Sequence, residues 1–322
     1  MSDHDGLHRS DTEWAELIER APGLSAKTKV SYRKQLRATI RECGVEGPHA
    51  LSTILANPDK YGSMDGVNDS SLRTYLGFVV SAFKRGEEGG FFKRSDPQIV
   101  SLQGTWSELL QKASKKYGDR IDSNERSERE EQAHTTVKDW KDAFQISARD
   151  DEASPETLLL AFHALVHPPL RGGDLGRVRL GYQSEGNCIY RNPEDSETTI
   201  LLIRDHKTSK SFGPLKRVLR NEIIPLLRHN VKEHPREWLF ATQGGSPYSD
   251  SGFSNWKSQV FREIFGRPVS TNSLRHAYIS EMDRQHQTVA EAREVAHMMG
   301  HGLNTQRQYV RFDRGRSYDT GK

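Results

Sequence analysis

The segment that most constrains the fold is residues 153–169, ASPETLLLAFHALVHPP. Ser154 is suited to a helix N-cap, and Pro155 to the first helical position, where its missing N–H would have had no partner anyway. The run that follows, ETLLLAFHALV, is apolar nearly all round and stops before Pro168 and Pro169. A helix without a polar face is expected to be buried.

Elsewhere the helical period is amphipathic. Residues 11–20 place Trp14, Leu17 and Ile18 on one side, and residues 26–42 repeat Val30, Tyr32, Leu36 and Ile40. That second helix is rich in cations: Lys27, Lys29, Arg33, Lys34, Arg37 and Arg41. A third helix follows the N-cap cluster Asn68-Asp69-Ser70-Ser71, and a fourth, about 104–117, carries Trp106, Leu109 and Leu110. Residues 118–135 are charged, poor in apolar side chains and aperiodic, which reads as a linker. The expected organisation is a small helical domain over 1–128 and a second domain over 129–322. In the second, LRGGDLGRVRL (170–180) reads as a turn and a short helix. Segments 188–190, 199–204 and 215–219 read as a small antiparallel meander, since no crossover helix separates them. Helices are expected again at 137–146, 221–232, 250–265, 272–286 and 289–299, the last with a Thr288/Glu291 capping box. The fold class is mainly α (α+β).

Composition excludes several classes. Apolar residues are 34% of the 322, and no window approaches the 18 or more needed to span a membrane. The opening residues contain no apolar leader core, which argues against secretion. Cys43 and Cys188 are the only cysteines, too few for a disulfide framework or a cysteine zinc site. A net charge of +3 permits nucleic-acid binding without demonstrating it.

The chemistry-bearing residues are scattered. Arg171 precedes Gly172-Gly173, with Asp174 placed to cap the next turn or hold the arginine. Lys207 and Lys210 lie in DHKTSKSFG between two strands. Arg275 and His276 lie one turn into a helix, beside the core-facing Leu274, Tyr278 and Met282. His297 and His301 are four apart, but Gly300 interrupts them and no third ligand is evident, so no metal or other cofactor is assigned. Tyr309 sits in a basic tail with Arg307, Arg311, Arg314 and Arg316. Guanidinium, imidazole and phenol are what metal-free phosphoryl transfer needs: a two-pronged anion clamp, a hydrogen-bond or proton donor, and a covalent nucleophile.

Taken in order, LRGGDL, HKTSK, SLRHAYIS, MMGH and NTQRQY resemble the motifs of the tyrosine recombinases, or phage-type integrases, over roughly 137–312. The wording L-R-H-x-Y-I-S is similar to members from eukaryotic transposons and large viruses. The resemblance implies a helical DNA-clamping domain and a catalytic domain whose residues are Arg171, Lys207, Arg275, His301 and Tyr309, supported by Asn272, His276 and Asp174. It also implies double-stranded DNA as partner, a homotetramer on two sites, a 3′-phosphotyrosyl intermediate, no metal or ATP, and an intracellular, DNA-associated location (the nucleus in a eukaryotic or viral host). Two positions depart from the pattern. Asn272 stands where the family usually has histidine, and the step from His301 to Tyr309 is slightly short. Asparagine cannot shuttle a proton, so a DNA-binding protein that no longer cuts is the main alternative, with a type IB topoisomerase-like enzyme as another.

Overall fold

The computed structural model of the protein describes residues 7–64, 66–285 and 288–311. The chain divides into two compact units, Met1–Ser123 and Asn124–Lys322.

The first unit holds α1 (Asp11–Arg20), α2 (Ala26–Glu42), α3 (Ala50–Ala56), α4 (Pro58–Tyr61), α5 (Asp69–Glu88) and α6 (Pro97–Asp122). Local signals account for most of these boundaries. Ser10 and Glu13 form a capping box on α1, and the Asn68 side chain accepts the Ser71 N–H at the start of α5. The expected fourth helix is α6, which starts earlier, behind the Asp96 cap, and runs through 122. Residues 118–122 therefore stay helical, and Ile121 supplies their buried contact. The pair α3–α4 was not expected. It brings Leu51, Ile54 and Leu55 into a core with Trp14 and Trp106, whose indole N–H groups donate to Ser52 Oγ (3.2 Å) and Leu55 O (2.9 Å).

In the second unit, α7 (Glu128–Gln132) occupies the stretch read as linker, capped by a Ser127/Glu130 box. It is followed by α8 (Val137–Asp150) and α9 (Pro155–Leu165). As its composition requires, α9 is buried all round. Leu158, Leu159 and Leu160 are each at most 1% exposed, and burying each such side chain contributes about 1.5–3 kcal/mol. Trp140 of α8 stacks on His163 with centroids 5.6 Å apart.

The chain then turns through a short 3₁₀ segment, Asp174–Arg177, into a four-stranded sheet ordered β1-β2-β3-β4. Strands β2 (Asn187–Arg191), β3 (Thr199–Ile203) and β4 (Leu215–Val218) form the expected antiparallel meander. The correction is β1 (Val178–Leu180), part of the segment read as a short helix, which pairs parallel to β2 with Val178 opposite Asn187. A parallel pair normally needs a long crossover. Here the ladder is so short that the chain has to step back only about 7 Å. Gly181 and Gly186, both at positive φ, open and close the connecting loop.

The remaining helices are α10 (Ser209–Phe212), α11 (Ile223–Glu233), α12 (Asp250–Phe265), α13 (Thr271–Arg284), α14 (Val289–Met298) and α15 (Leu303–Arg307). Thr288 and Glu291 form the expected capping box on α14. Among the described residues, no helix is long and apolar enough to cross a membrane.

Candidate active site

Arg171 leaves the turn after α9, and the Asp174 carboxylate holds that turn by accepting the Arg171 backbone N–H at 3.2 Å. Burial raises the Asp174 carboxyl above its usual range, with the charges of Arg171, His206 and Arg275 working against it. The Arg171 guanidinium donates to Thr208 Oγ1 (2.9 Å) and Gly300 O (3.1 Å), and Thr208 Oγ1 itself donates to Gly300 O at 2.6 Å. The loop between β3 and α10 is thus tied to the end of α14. Asn187 braces its other side. Its Oδ1 accepts from Arg204 N and Asp205 N, while Nδ2 donates to Asp174 O and Asp205 O.

His301 is delivered by a helix-ending motif. Gly300, at φ 68, takes the left-handed position after α14; His301 N–H bonds to Ala296 O (3.0 Å) and Gly300 N–H to His297 O (2.9 Å). These are the two hydrogen bonds of a Schellman cap. A Cβ at Gly300 would lie 3.2 Å from Thr208 Oγ1, so the close approach also favours glycine.

Arg275, on α13, is fully buried. It donates to Pro169 O (2.8 Å), Met299 O (3.3 Å) and His301 Nδ1 (3.1 Å), and it forms no ion pair with Glu281. Burial lowers its pKa, opposed by the Tyr309 phenol. A guanidinium can only donate, so His301 Nδ1 is the acceptor and its ring proton sits on Nε2. That buried Nε2–H makes no hydrogen bond of good geometry among the described residues, and the Gln306 side chain is the polar group beside it. Burial and the charge of Arg275 push His301 down to about 4, with Gln306 opposing, so the ring is neutral at pH 7.

Tyr309 lies beyond α15, its N–H bonded to Gln306 O at 2.9 Å, so the helix that starts promptly after His301 ends before reaching the tyrosine. Its ring stacks on His301 (centroids 5.3 Å apart) and lies 5.1 Å from the Arg275 guanidinium carbon. Val310 anchors the segment in a small apolar cluster with Ile279, Val295 and Met299. His276 faces the main chain: its Nδ1–H donates to Tyr309 O at 2.8 Å. Burial and Arg311 push His276 down to about 4.

Arg171, Arg275, His301 and Tyr309, far apart in sequence, therefore form one connected cluster. Lys207 and Asn272 are not drawn into it. Both side chains are exposed and make no hydrogen bond among the described residues. Lys210 is also exposed, and His297 faces the Phe212 ring. Of the basic tail, Arg314 and Arg316 lie outside the described residues.

Sequence reading missed Thr208 and Arg217. Arg217 is a buried β4 cation that donates to Met298 O; burial, reinforced by Arg275, lowers it to about 10. The alternation LKRV on a strand marked its side of the sheet but not the helix it would meet. Three arginines against one carboxylate give the cluster a positive field suited to an anion.

Searches for sequence likeness match no family model and no curated protein. Solved structures do match. A lambda integrase (75–356) dimer bound to a COC′ core site aligns with TM-score 0.55 and 16% identity, over 100% of this chain and 99% of that one. The Tn1549 transposon integrase (aa 82–397), in complex with circular intermediate DNA, aligns with TM-score 0.55 and 12% identity over 96% of each chain. A lambda integrase tetramer bound to a Holliday junction gives 0.54 at 15% identity, over 100% of this chain and 82% of that one. The fold is that of the tyrosine recombinases. Within that fold, the cluster at Arg171, Arg275, His301 and Tyr309 uses the motifs that carried the resemblance in sequence.

Proposed function

We propose that this chain cuts and rejoins double-stranded DNA through Tyr309. The observation that carries the reading is the cluster itself: the Arg275 guanidinium and the His301 imidazole lie against the Tyr309 ring, and Arg171 is tied to Gly300 beside His301. Arg171 and Arg275 neutralise the non-bridging oxygens of the scissile phosphate, and His301 Nε2–H donates a further hydrogen bond, so the donors are oriented before charge builds up. Tyr309 Oη gives up its proton to solvent and attacks phosphorus as the P–O5′ bond breaks, leaving a 3′-phosphotyrosyl link and a 5′ hydroxyl. Lys207, on the loop docked by Thr208, protonates that leaving oxygen. Reversal by a 5′ hydroxyl rejoins the strand without ATP, since the covalent link conserves the phosphodiester energy. The first unit serves as the DNA clamp, through its basic α2. Neighbours solved on DNA, one of them as a tetramer on a Holliday junction, support a homotetramer on two DNA sites and a DNA-associated location in the cell.

Asn272 favours a second reading, a DNA-binding protein of this fold that no longer cuts. Covalent trapping separates the two. Wild-type protein and Tyr309→Phe are incubated in EDTA with nicked duplexes covering the flanking DNA, then run on a denaturing gel. A protein–DNA adduct absent from the variant is the expected result. Salt-sensitive binding by both proteins with no adduct from either would leave the non-cutting reading.

A further inference from the structure

The backbone that carries Tyr309, past the end of α15, is held by side chains. Arg311 Nη1 donates to Gln308 O (2.6 Å) and Val310 O (2.7 Å), while His276 takes Tyr309 O. Three consecutive carbonyls around the tyrosine are therefore bound by side chains. The Arg311 N–H in turn donates to Ser280 Oγ of α13 at 2.8 Å. The other edge of the Arg311 guanidinium meets Glu130 of α7, with Nη2 3.0 Å and Nε 3.3 Å from Oε1. Arg311 is 6% exposed, while the Glu130 side chain is 27% exposed, so the arginine is withdrawn from solvent and the carboxylate partly so. Burial would raise the Glu130 carboxyl, but the Ser127 N–H and Arg311 outweigh it and hold it at about 2, so it is ionised throughout the neutral range. The same carboxylate lies 3.8 Å from His276 Nε2. These groups line one wall of a cavity of about 330 Å³ that Asn272 also borders.

We infer that Glu130 and Arg311 act together as positioning residues that fix the main chain of the tyrosine segment for in-line attack. Neither side chain reaches the phenol. Their effect runs through the carbonyls at 308 and 310, and through the orientation of Arg311 that Glu130 imposes. An arginine so placed satisfies backbone acceptors on one edge only while a carboxylate holds the other. The inference deepens the proposed reading, since it presumes that Tyr309 reacts. It also assigns work to α7, the first helix of the second unit, which composition alone marks as linker.

Glu130→Ala and Arg311→Ala test this on nicked DNA, with cleavage rate measured against DNA concentration. A misplacement of about 1 Å costs roughly a hundredfold in rate. The expected result is a fall of that order in the saturated rate of adduct formation in each variant, with half-saturating DNA within twofold of wild type. The double variant should fall no further than the worse single one, because both remove one unit. Saturated rates within twofold of wild type would overturn the inference. So would a loss confined to DNA affinity, which would make Arg311 a phosphate contact instead. If Arg311→Ala fails to fold, Glu130→Ala and Glu130→Gln carry the test. Hydrogen exchange over 303–311 is measured in parallel on the full chain. Faster exchange there in Glu130→Ala, with the rest unchanged, is expected even if wild type forms no adduct, so failure of the cutting reading and failure of this inference remain distinguishable. Unchanged exchange would overturn it.

Discussion

Lys257 shows how a single side chain can be tolerated against its own preference. It lies on α12, 8% exposed, with its Nζ where a Cβ on Gly172 would be (1.9 Å), and it has no hydrogen bond or ion pair among the described residues. Burial pushes the amine down to about 8, with Asp174 opposing. The folded pKa is below the ordinary 10.5, so the unfolded chain holds the proton more tightly. The penalty is full below pH 8 and fades as pH rises through the window between these values. Lys257→Met, similar in length and without charge, should therefore stabilise the protein by on the order of 1–3 kcal/mol at pH 7. That gain should shrink towards pH 10. Thermal melting of both proteins across pH 7–10 measures it. A Met variant that melts lower, or a gap that ignores pH, would mean that the amine is not the burden described here. Gly172 is the complementary residue: a methyl group there meets Lys257 Nζ and, at 2.7 Å, Thr271 Oγ1.

At the scale of elements, α2 offers the clearest division between structural and unoccupied charge. Its buried residues are Leu36 and Thr39. Arg33 lies 3.5 Å from Glu19, Arg41 pairs with Glu42, and Lys29 donates to Glu19 O. Lys27, Lys34 and Arg37 are exposed and have no partner among the described residues. If α2 lies along a phosphate backbone, replacing all three by glutamine should weaken DNA binding evenly across sequences. The slope of log K against log salt should fall by about 3. Titrations at several salt concentrations measure this, and an unchanged slope would remove α2 from the interface. The helices were legible in the sequence because caps and apolar period are local properties; Asn68, Ser154 and Thr288 announced their helices. The three-residue β1 was not, since so short a strand has no period and its partner is set by a returning loop. The same holds within the site. Arg171, Arg275, His301 and Tyr309 could be picked out because they stand in the motifs that carried the family resemblance. Thr208, Arg217 and Glu130 could not, because each matters only through a contact with α14 or with the tyrosine segment.

At the scale of the whole molecule, the two units have separate cores. One is centred on Trp14, Leu51, Phe83 and Trp106, the other on α9 with Trp140, Phe240 and Phe261. Each buries its own large aromatics, so each is expected to fold alone. Fragments 1–123 and 124–322 should each give a helical spectrum and a cooperative melt. Separation should cost binding rather than folding. Two units joined in one chain raise the effective concentration of the second contact once the first has formed, and avidity from such linkage commonly reaches 10² to 10⁴. The intact chain should therefore bind a recognised duplex at least about a hundredfold more tightly than either fragment. The fragments mixed in trans should not recover that affinity at micromolar concentration. If fragment 124–322 alone matches the intact chain, the first unit is no clamp, and the basic face of α2 is a solvated surface. If the fragments fold and bind weakly but the intact chain gains nothing, the two units do not grip one duplex together. The division of labour proposed for them would then fail, while the Tyr309 cluster, which lies wholly within the second unit, would be left as it stands.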